Sequence, residues 1–537
     1  MRRRTALLLL GVVSAGAFLS GLELMITAVA LPAIVVDLAD WTALRPASWI
    51  INGYLLVSIV VMPIAGQLTD RYGVRRVFLW ALVIFVAGSI LAGRSTNLTE
   101  LIAARLFQAI GGGALVPVAT AAAPHLYDGP ARPRALGAVG ALTFLGMAAG
   151  PFVGAWIMQS MHPAATLDSL GVTGALRDAL GSPWRYVFYL NVPIGVALLA
   201  LGWAATTGWE TPRVGHRFDI AGAVAASIGL TSLLLSITLA GSDPIPGLAV
   251  DPVFVVIGLA ILAVAAFAVA VLVGRRREEP FINPAWFREP AFTSAVLVSM
   301  LTGYGFATAI IGGAVFVDRV LYGGPDQQRI ALGALAGATA VGALASGLVL
   351  RAIGLRLTTF AGLAAAIVAL VRMAAWQPST TILEAAAWLA LFGFGFGLTV
   401  TPRSTAAVEA LGDRAYGIAS AGVSVAREVG MALGLASLTA FGSTIIDQLW
   451  TAIRATPDAY KAFIRDSLRN RAFDDGLVVN ALEQWASTEA AHILVGVFLV
   501  AAAIMAVAVL PARTIGRRSV ADAGVRSRVG GLGISRG

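Results

Sequence analysis

Cysteine is absent from the chain, which excludes disulfides and thiolate metal sites. Lysine occurs once, at Lys461. Without a Gly-Lys-Ser/Thr stretch there is no Walker-type phosphate loop. ATP hydrolysis by that route is excluded, so any uphill work must draw on an ion gradient or another subunit. The four histidines, His125, His162, His216 and His492, fall at span ends or in loops, with no metal or triad spacing. No catalytic residue, metal ligand or cofactor is read from them, and the chain is not expected to be an enzyme. Charge is scarce as well: 12% of residues, against about 25% in soluble domains.

What fills the chain instead is apolar sequence, 58% of 537 residues. Runs of about 18 or more apolar residues read as membrane spans, and only helices or closed barrels satisfy the backbone in lipid. These runs are too continuous for barrel strands. The expectation is an all-α polytopic membrane protein with fourteen transmembrane helices, at roughly 5–36, 47–67, 77–94, 100–124, 135–160, 184–206, 218–241, 252–274, 291–317, 328–350, 356–376, 380–402, 416–446 and 488–511. Met1-Arg2-Arg3-Arg4 and Ala15-Gly16-Ala17 imitate a signal peptide, but the apolar run continues too far, so it reads as a retained first span.

The net charge of +9 is nearly all arginine. Basic residues mark cytoplasmic loops of membrane proteins, and nucleic acid is not an expected partner. Arg71, Arg75 and Arg76 follow span 2; Arg132 and Arg134 follow span 4; Arg213 and Arg217 follow span 6. Arg275, Arg276 and Arg277 follow span 8, Arg351 and Arg356 span 10, Arg403 and Arg414 span 12, and Arg513, Arg517 and Arg518 lie in the tail. The alternate short loops are nearly bare. Both termini are therefore expected in the cytoplasm, in a multi-pass protein of the cell (inner) membrane. The outer segment 447–487 is charged and expected to be partly helical, and the tail 512–537, rich in Arg, Gly and Ser, to be disordered.

A repeat is visible. After span 2 stands "GQLTDRYGVRR" (66–76), and after span 10 "GLVLRAIGLR" (347–356). Gly, Gly and Arg recur at offsets 0, 7 and 9, while Asp70 is replaced by Arg351. The domains follow: a six-helix bundle over 1–206, two inserted helices with a linker over 207–290, and a second six-helix bundle over 291–511. Repeated halves with a site between them are a transporter architecture.

At these residues a family resemblance becomes specific. "GQLTDRYGVRR" resembles the loop signature of the major facilitator superfamily. "RLFQAIGGG" (105–113) is similar to its fourth-span motif, with Ala109 in place of a glycine, and "GMAAGPFVG" (146–154) to its fifth-span antiporter motif. "WRYVFYLNVPIG" (184–195), "GLELMITAVALP" (21–32) and "REVGMALG" (427–434) resemble the fourteen-span drug:proton antiporter branch. Glu23 stands where that branch has Asp, Met25 for Thr and Ala28 for Asn. The resemblance implies a major facilitator fold and proton-coupled export of lipophilic or amphipathic compounds, as in multidrug efflux, by alternating access. It implies a monomer whose partners are a small lipophilic substrate, protons and membrane lipid. The stretch 417–434 also resembles mycobacterial triacylglyceride exporters of the superfamily, so export of a lipid or lipid-like metabolite is the alternative.

Glu23 interrupts the apolar run from Thr5 to Val36. A charged carboxylate at mid-bilayer costs roughly 2.5–3.5 kcal/mol on insertion scales, and desolvation favours its neutral form. It reads either as a proton carrier or as half of a structural ion pair, which would hold it charged. Its expected partner is Arg427 on span 13 or Arg105 on span 4. Arg427 and its neighbour Glu428 point in different directions on a helix and cannot both face one partner squarely; Glu428 is either a second titrating site or a structural group facing another helix. Gly66, Asp70, Arg71, Gly73 and Arg75 form, by the resemblance, a latch that holds the outward-facing state. Asp70 is expected at the N-terminus of span 13, near Ala415–Gly417, where the helix dipole favours an anion. Gly146, Gly150, Pro151 and Gly154 give span 5 a small, kinked face, for rocking halves or for plain tight packing. Tyr54, Tyr304, Phe306, Phe394 and Phe396 either line an aromatic substrate cavity or pack.

Overall fold

The structure, a computed structural model, describes residues 3–38, 47–174, 177, 180–205, 209, 211, 218–240, 252–277, 280–412, 415–455 and 475–516, with side chains described through Leu438 and again from Ala490. Residues 456–474 of the outer segment, 517–537 of the tail, Arg213, Arg217 and Arg414 lie outside the described residues. All regular structure among those described is helical.

Among the described residues, thirteen helices are long and apolar enough to cross a membrane. One of them, Pro325–Met373, contains Gly354 at φ 81° and ψ 171°. That backbone is open essentially to glycine alone, so the helix folds into two limbs, spans 10 and 11. The count is then fourteen. In chain order the other spans are Arg3–Leu38, Trp49–Tyr72, Val74–Arg94, Leu98–Leu126, Arg132–Ser160, Asn191–Ala205 behind a short helix Arg185–Tyr189, Ile220–Leu239, Pro252–Gly274, Pro290–Val315, Ile382–Leu411, Tyr416–Ala455 and Asp475–Val507. The last two run into the charged segment 447–487, which is helical at both ends.

Local signals start several of these helices. Asn97 accepts from the Glu100 amide at 2.9 Å, Thr381 from the Glu384 amide at 3.2 Å, and Asp219 from the Gly222 amide at 2.9 Å. Each is an N-cap satisfying an orphan donor of the first turn. The first two open the fourth span of each bundle, so the cap is itself repeated.

Spans 1–6 pack on one another, and so do spans 9–14. The bundles meet where spans 2, 4 and 5 face spans 10, 12 and 13. Span 7 lies against spans 2 and 13, and span 8 packs chiefly on span 7. Span 8 turns Phe254, Ile261 and Val264 outward, as a helix bathed in lipid does. The largest core belongs to the second bundle, but Ala141, Phe144 and Met147 of span 5 are part of it. The core thus crosses between bundles rather than stopping at a cleft.

One sequence boundary changes. Span 12 runs to Leu411, beyond the expected end at 402, because Pro402 and Arg403 are accommodated inside the helix. Arg403 is only 2% exposed, so it is a buried group and not the loop charge the sequence suggests.

A buried charge centre and an interbundle contact

Span 1 brings Glu23 to the middle of the first bundle, where it is fully buried. Its carboxylate pairs with the Arg105 guanidinium of span 4 and accepts from the Asn191 amide at the start of span 6. Thr27, one turn further along span 1, donates to it at 3.2 Å. Arg105 also donates to Gln108 at 2.7 Å and to the Ile50 carbonyl of span 2 at 3.2 Å. Its guanidinium lies 4.1 Å from the Tyr54 ring centroid and 5.6 Å from that of Phe188. Gln108 passes the network on to Ser89 of span 3 at 2.7 Å. A buried ion pair is tolerated when such hydrogen bonds satisfy both partners. Of the two expected partners of Glu23, the structure selects Arg105.

Arg427 is elsewhere. It pairs with its own neighbour, Glu428, at 2.7 Å, although adjacent helix positions point in different directions. Long side chains close that gap: the guanidinium bends back along the helix to one carboxylate oxygen. The four-residue set read as proton-coupling therefore separates into two pairs on two bundles.

The small face of span 5 holds span 1 in place. A Cβ on Gly150 would lie 2.6 Å from Met25 Cβ and 2.9 Å from the Ile26 nitrogen. Gly146 packs on the Phe18 carbonyl, and a Cβ on Gly154 would lie 3.2 Å from Ile26 Cγ1 and Val29 Cβ. Gly21 returns the contact against Thr143 and Met147. The motif thus clamps spans 1 and 5 within one bundle, with Pro151 inside the helix. That clamp presents Glu23, on a different face of span 1, to spans 4 and 6. The contact of span 5 with the other bundle is made by other residues, among them Gly137 against Ala343 and Gly140 against Val400.

At the end of span 2, Asp70 accepts from the backbone amides of Gly417 at 2.6 Å and Ile418 at 2.9 Å. These are orphan donors of the first turn of span 13, where an anion is favoured. Gly66 allows the approach: a Cβ there would lie 2.5 Å from the Gly417 carbonyl oxygen. Gly73, at φ 86° and ψ 150°, breaks span 2 from span 3. Arg71 lies 5.2 Å from the Tyr72 ring and Arg75 5.5 Å from the Trp203 ring. Neither makes an ion pair among the described residues.

The expected aromatic set also divides. Phe306 and Phe396 stack at 4.3 Å, and Phe144 of the first bundle meets both edge-on, at 5.6 and 5.4 Å. Tyr54 belongs to the Arg105 site. Tyr304 joins the second bundle's core, and Phe394 is partly exposed, its backbone against Gly342. Phe144, Asn191, Gln108 and Arg403 escaped the sequence reading as site residues. Asn191 and Gln108 stand inside quoted motifs, and a polar side chain within an apolar run was the available signal.

Two mirrored bundles with a bonded charge centre enclosed in one of them define a transporter-type membrane protein. The chain belongs to the Major Facilitator Superfamily, which it matches over residues 13–435. It is 27% identical over 466 residues to the multidrug transporter protein MdtP of Bacillus subtilis, covering 86% of this chain and 80% of that one. It is 32% identical over 411 residues to a triacylglyceride transporter of Mycolicibacterium hassiacum, covering 73% and 71%. Among solved structures it resembles the proton:xylose symporter XylE, with a TM-score of 0.57 at 12% identity over 94% of this chain and 96% of that one. It also resembles a bacterial homologue of the human lysosomal transporter Spinster, with a TM-score of 0.57 at 16% identity over 97% and 99%. At these identities the structural likeness is one of fold.

Proposed function

We propose that the chain is a proton-coupled antiporter that exports lipophilic or amphipathic compounds by alternating access, as a monomer in the cell membrane with both termini cytoplasmic. The observation that carries this reading is Glu23, a fully buried carboxylate bonded across spans 1, 4 and 6. While charged, it neutralises Arg105 and ties those spans together. A proton on Glu23 removes the countercharge, and the Arg105 guanidinium must then find other acceptors or water. That change in bonding is a means of linking proton entry to a rearrangement of spans 1, 4 and 6. In this reading Asp70 closes the cytoplasmic ends of the bundles and must leave the span 13 amides for the site to open inward. The multidrug transporter among the relatives supports a drug-like substrate.

The test is dye efflux from vesicles under an imposed pH gradient. Glu23→Gln is expected to cut gradient-driven efflux at least about tenfold while dye binding persists, the size expected of losing a proton-transfer group. Unaltered efflux would remove Glu23 from the mechanism.

Export of a lipid is the second reading, supported by the triacylglyceride transporter at 32% identity. In the same vesicles, gradient-driven export of a labelled glyceride, with the dyes retained, would favour it.

A further inference from the structure

Arg403 is the buried cation for which the transport reading has no use. It lies inside span 12 at 2% exposure. Nε donates to the Thr399 carbonyl at 3.0 Å, Nη1 to the Thr302 hydroxyl, and the Phe396 ring centroid is 5.1 Å away. None of these is a countercharge. Among the described residues no carboxylate forms an ion pair with Arg403, whereas Arg105 has Glu23 and its cavity neighbour Arg427 has Glu428; Arg185, 5% exposed, also has none and is held by the Gly93 and Ser95 carbonyls at 2.8 Å.

Arg403 and Arg427 line one small cavity between the bundles, of about 30 Å³. A water needs roughly 10–15 Å³ measured this way, so there is room for about two oxygens, the number a carboxylate carries. The hydroxyls of Thr143, Ser404 and Ser424, which also line it, donate to carbonyls four residues back on their own helices. The donors left for the cavity are the guanidinium nitrogens that their own bonds do not engage, Nη2 of Arg403 and Nη1 of Arg427. Two guanidinium charges against the single Glu428 carboxylate leave one positive charge uncompensated. Phe144 is in the cavity wall, and behind it the fully buried rings of Phe306 and Phe396 pack edge-on against its ring.

We propose that this cavity binds the carboxylate head of an amphiphile, with Arg403 as the principal ligand and the Phe144 ring beside the head. The proposal deepens the transport reading and rests on it for the claim that the amphiphile is cargo. Arginine suits the role because its planar donors match a carboxylate. A cationic compound is disfavoured at the same place, since it would meet the uncompensated charge.

The test uses the full chain in phosphatidylcholine nanodiscs, with a dansyl-labelled undecanoic acid and its methyl ester as probes. A charge-assisted pairing predicts that the acid binds at least about tenfold more tightly than the ester. Arg403→Gln is expected to bring that ratio to about one, and Arg403→Lys to restore part of it. An acid-to-ester ratio near one in the unaltered chain overturns the proposal. Inorganic phosphate alone separates the two sources of the anion. Displacement of the acid only at millimolar phosphate or above supports an amphiphile, and displacement at micromolar phosphate overturns it in favour of a free-anion site. Should Arg403→Gln not run as a monodisperse species, a diazirine-bearing fatty acid is used on the unaltered chain. Labelling of spans 5 and 12 supports the site, and labelling confined to spans 7 and 8 overturns it. The two readings fail separately: dye efflux with no acid preference sinks only this proposal. An acid preference with no gradient-driven export of any compound sinks the transport reading.

Discussion

The turn after span 2 and the turn after span 10 share a backbone and differ in charge. Gly73 and Gly354 both hold positive φ, at 86° and 81°. Gly66 lies on Gly417 of span 13, and Gly347 lies on Pro133 and Arg134 of span 5. In each case the second span of one bundle meets the fifth span of the other. Yet Asp70 is bonded to two span 13 amides, while its counterpart Arg351 is exposed, with no ion pair among the described residues. The buried charges differ in the same way. The first bundle encloses a fully buried pair, Glu23 with Arg105, and holds Arg185 on carbonyls; the second has a less buried pair, Arg427 with Glu428, and encloses Arg403 without a carboxylate. The repeat therefore preserves helix packing, where any change of volume is felt. It frees the charges to differ, so each bundle carries a different task on one frame.

The largest expected effect sets the paired centre against the unpaired one. Glu23→Leu leaves Arg105 buried without its countercharge, which costs roughly 3–5 kcal/mol and should lower the thermal midpoint in detergent sharply. Adding Arg105→Leu should recover most of that loss. Arg403→Leu leaves no carboxylate behind and should cost far less, about 1 kcal/mol for the hydrogen bonds to Thr302 and Thr399. Equal losses from Glu23→Leu and Arg403→Leu would erase the distinction between the bundles.

The glycine pair comes next and tests what the bundles share. Gly73→Ala and Gly354→Ala each put a Cβ on a backbone with ψ of 150° or 171° at positive φ, a region that costs roughly 1–3 kcal/mol for other residues. Gly354 is exposed, with nothing within 4 Å of a Cβ, whereas Gly73 is buried beside Val74, whose amide donates to Thr211 at 3.2 Å. Destabilisation, read by the same melts, is expected at both positions and is expected to be larger at Gly73. A loss at one turn alone would show that the likeness ends with the sequence pattern.

The fold was legible because membrane spans announce themselves. A helix in lipid satisfies its own backbone, so length and hydropathy suffice, and even the two limbs of Pro325–Met373 were separable at Gly354. Asp70 was legible for a related reason: a carboxylate at a helix end has few strong partners besides orphan amides. Side-chain pairing was less so. Whether Glu23 meets Arg105 or Arg427 depends on the rotation of span 1 about its axis. That rotation is set by the Gly146, Gly150 and Gly154 clamp, which sequence spacing reveals as a small face without naming what lies on it. Arg403 was misread because a charge rule for loops was applied to a residue one position past an internal proline. Phe144 has no sequence signal at all, since one phenylalanine in an apolar span is usually packing.

The smallest effect addresses the one charge that separates the two turns. Asp70→Asn keeps an oxygen for one span 13 amide but loses the charge that the helix N-terminus favours, worth about 0.3–1 kcal/mol. The absence of cysteine makes the readout clean: Ser424→Cys places a single thiol in the interbundle cavity, and maleimide labelling reports how often the Asp70 end opens. Asp70→Asn should raise the labelling rate about two- to fivefold. Arg351→Asp should act in the opposite direction, because Gly347 places that turn on Pro133 and Arg134, where span 5 begins with Arg132. An aspartate there gains cationic neighbours that Arg351 can only repel. The double variant Asp70→Asn/Arg351→Asp moves the latch from one turn to the other and should label near the unaltered rate. If it labels as fast as Asp70→Asn alone, the two turns are not interchangeable and the Gly417 and Ile418 amides are the part that has no counterpart.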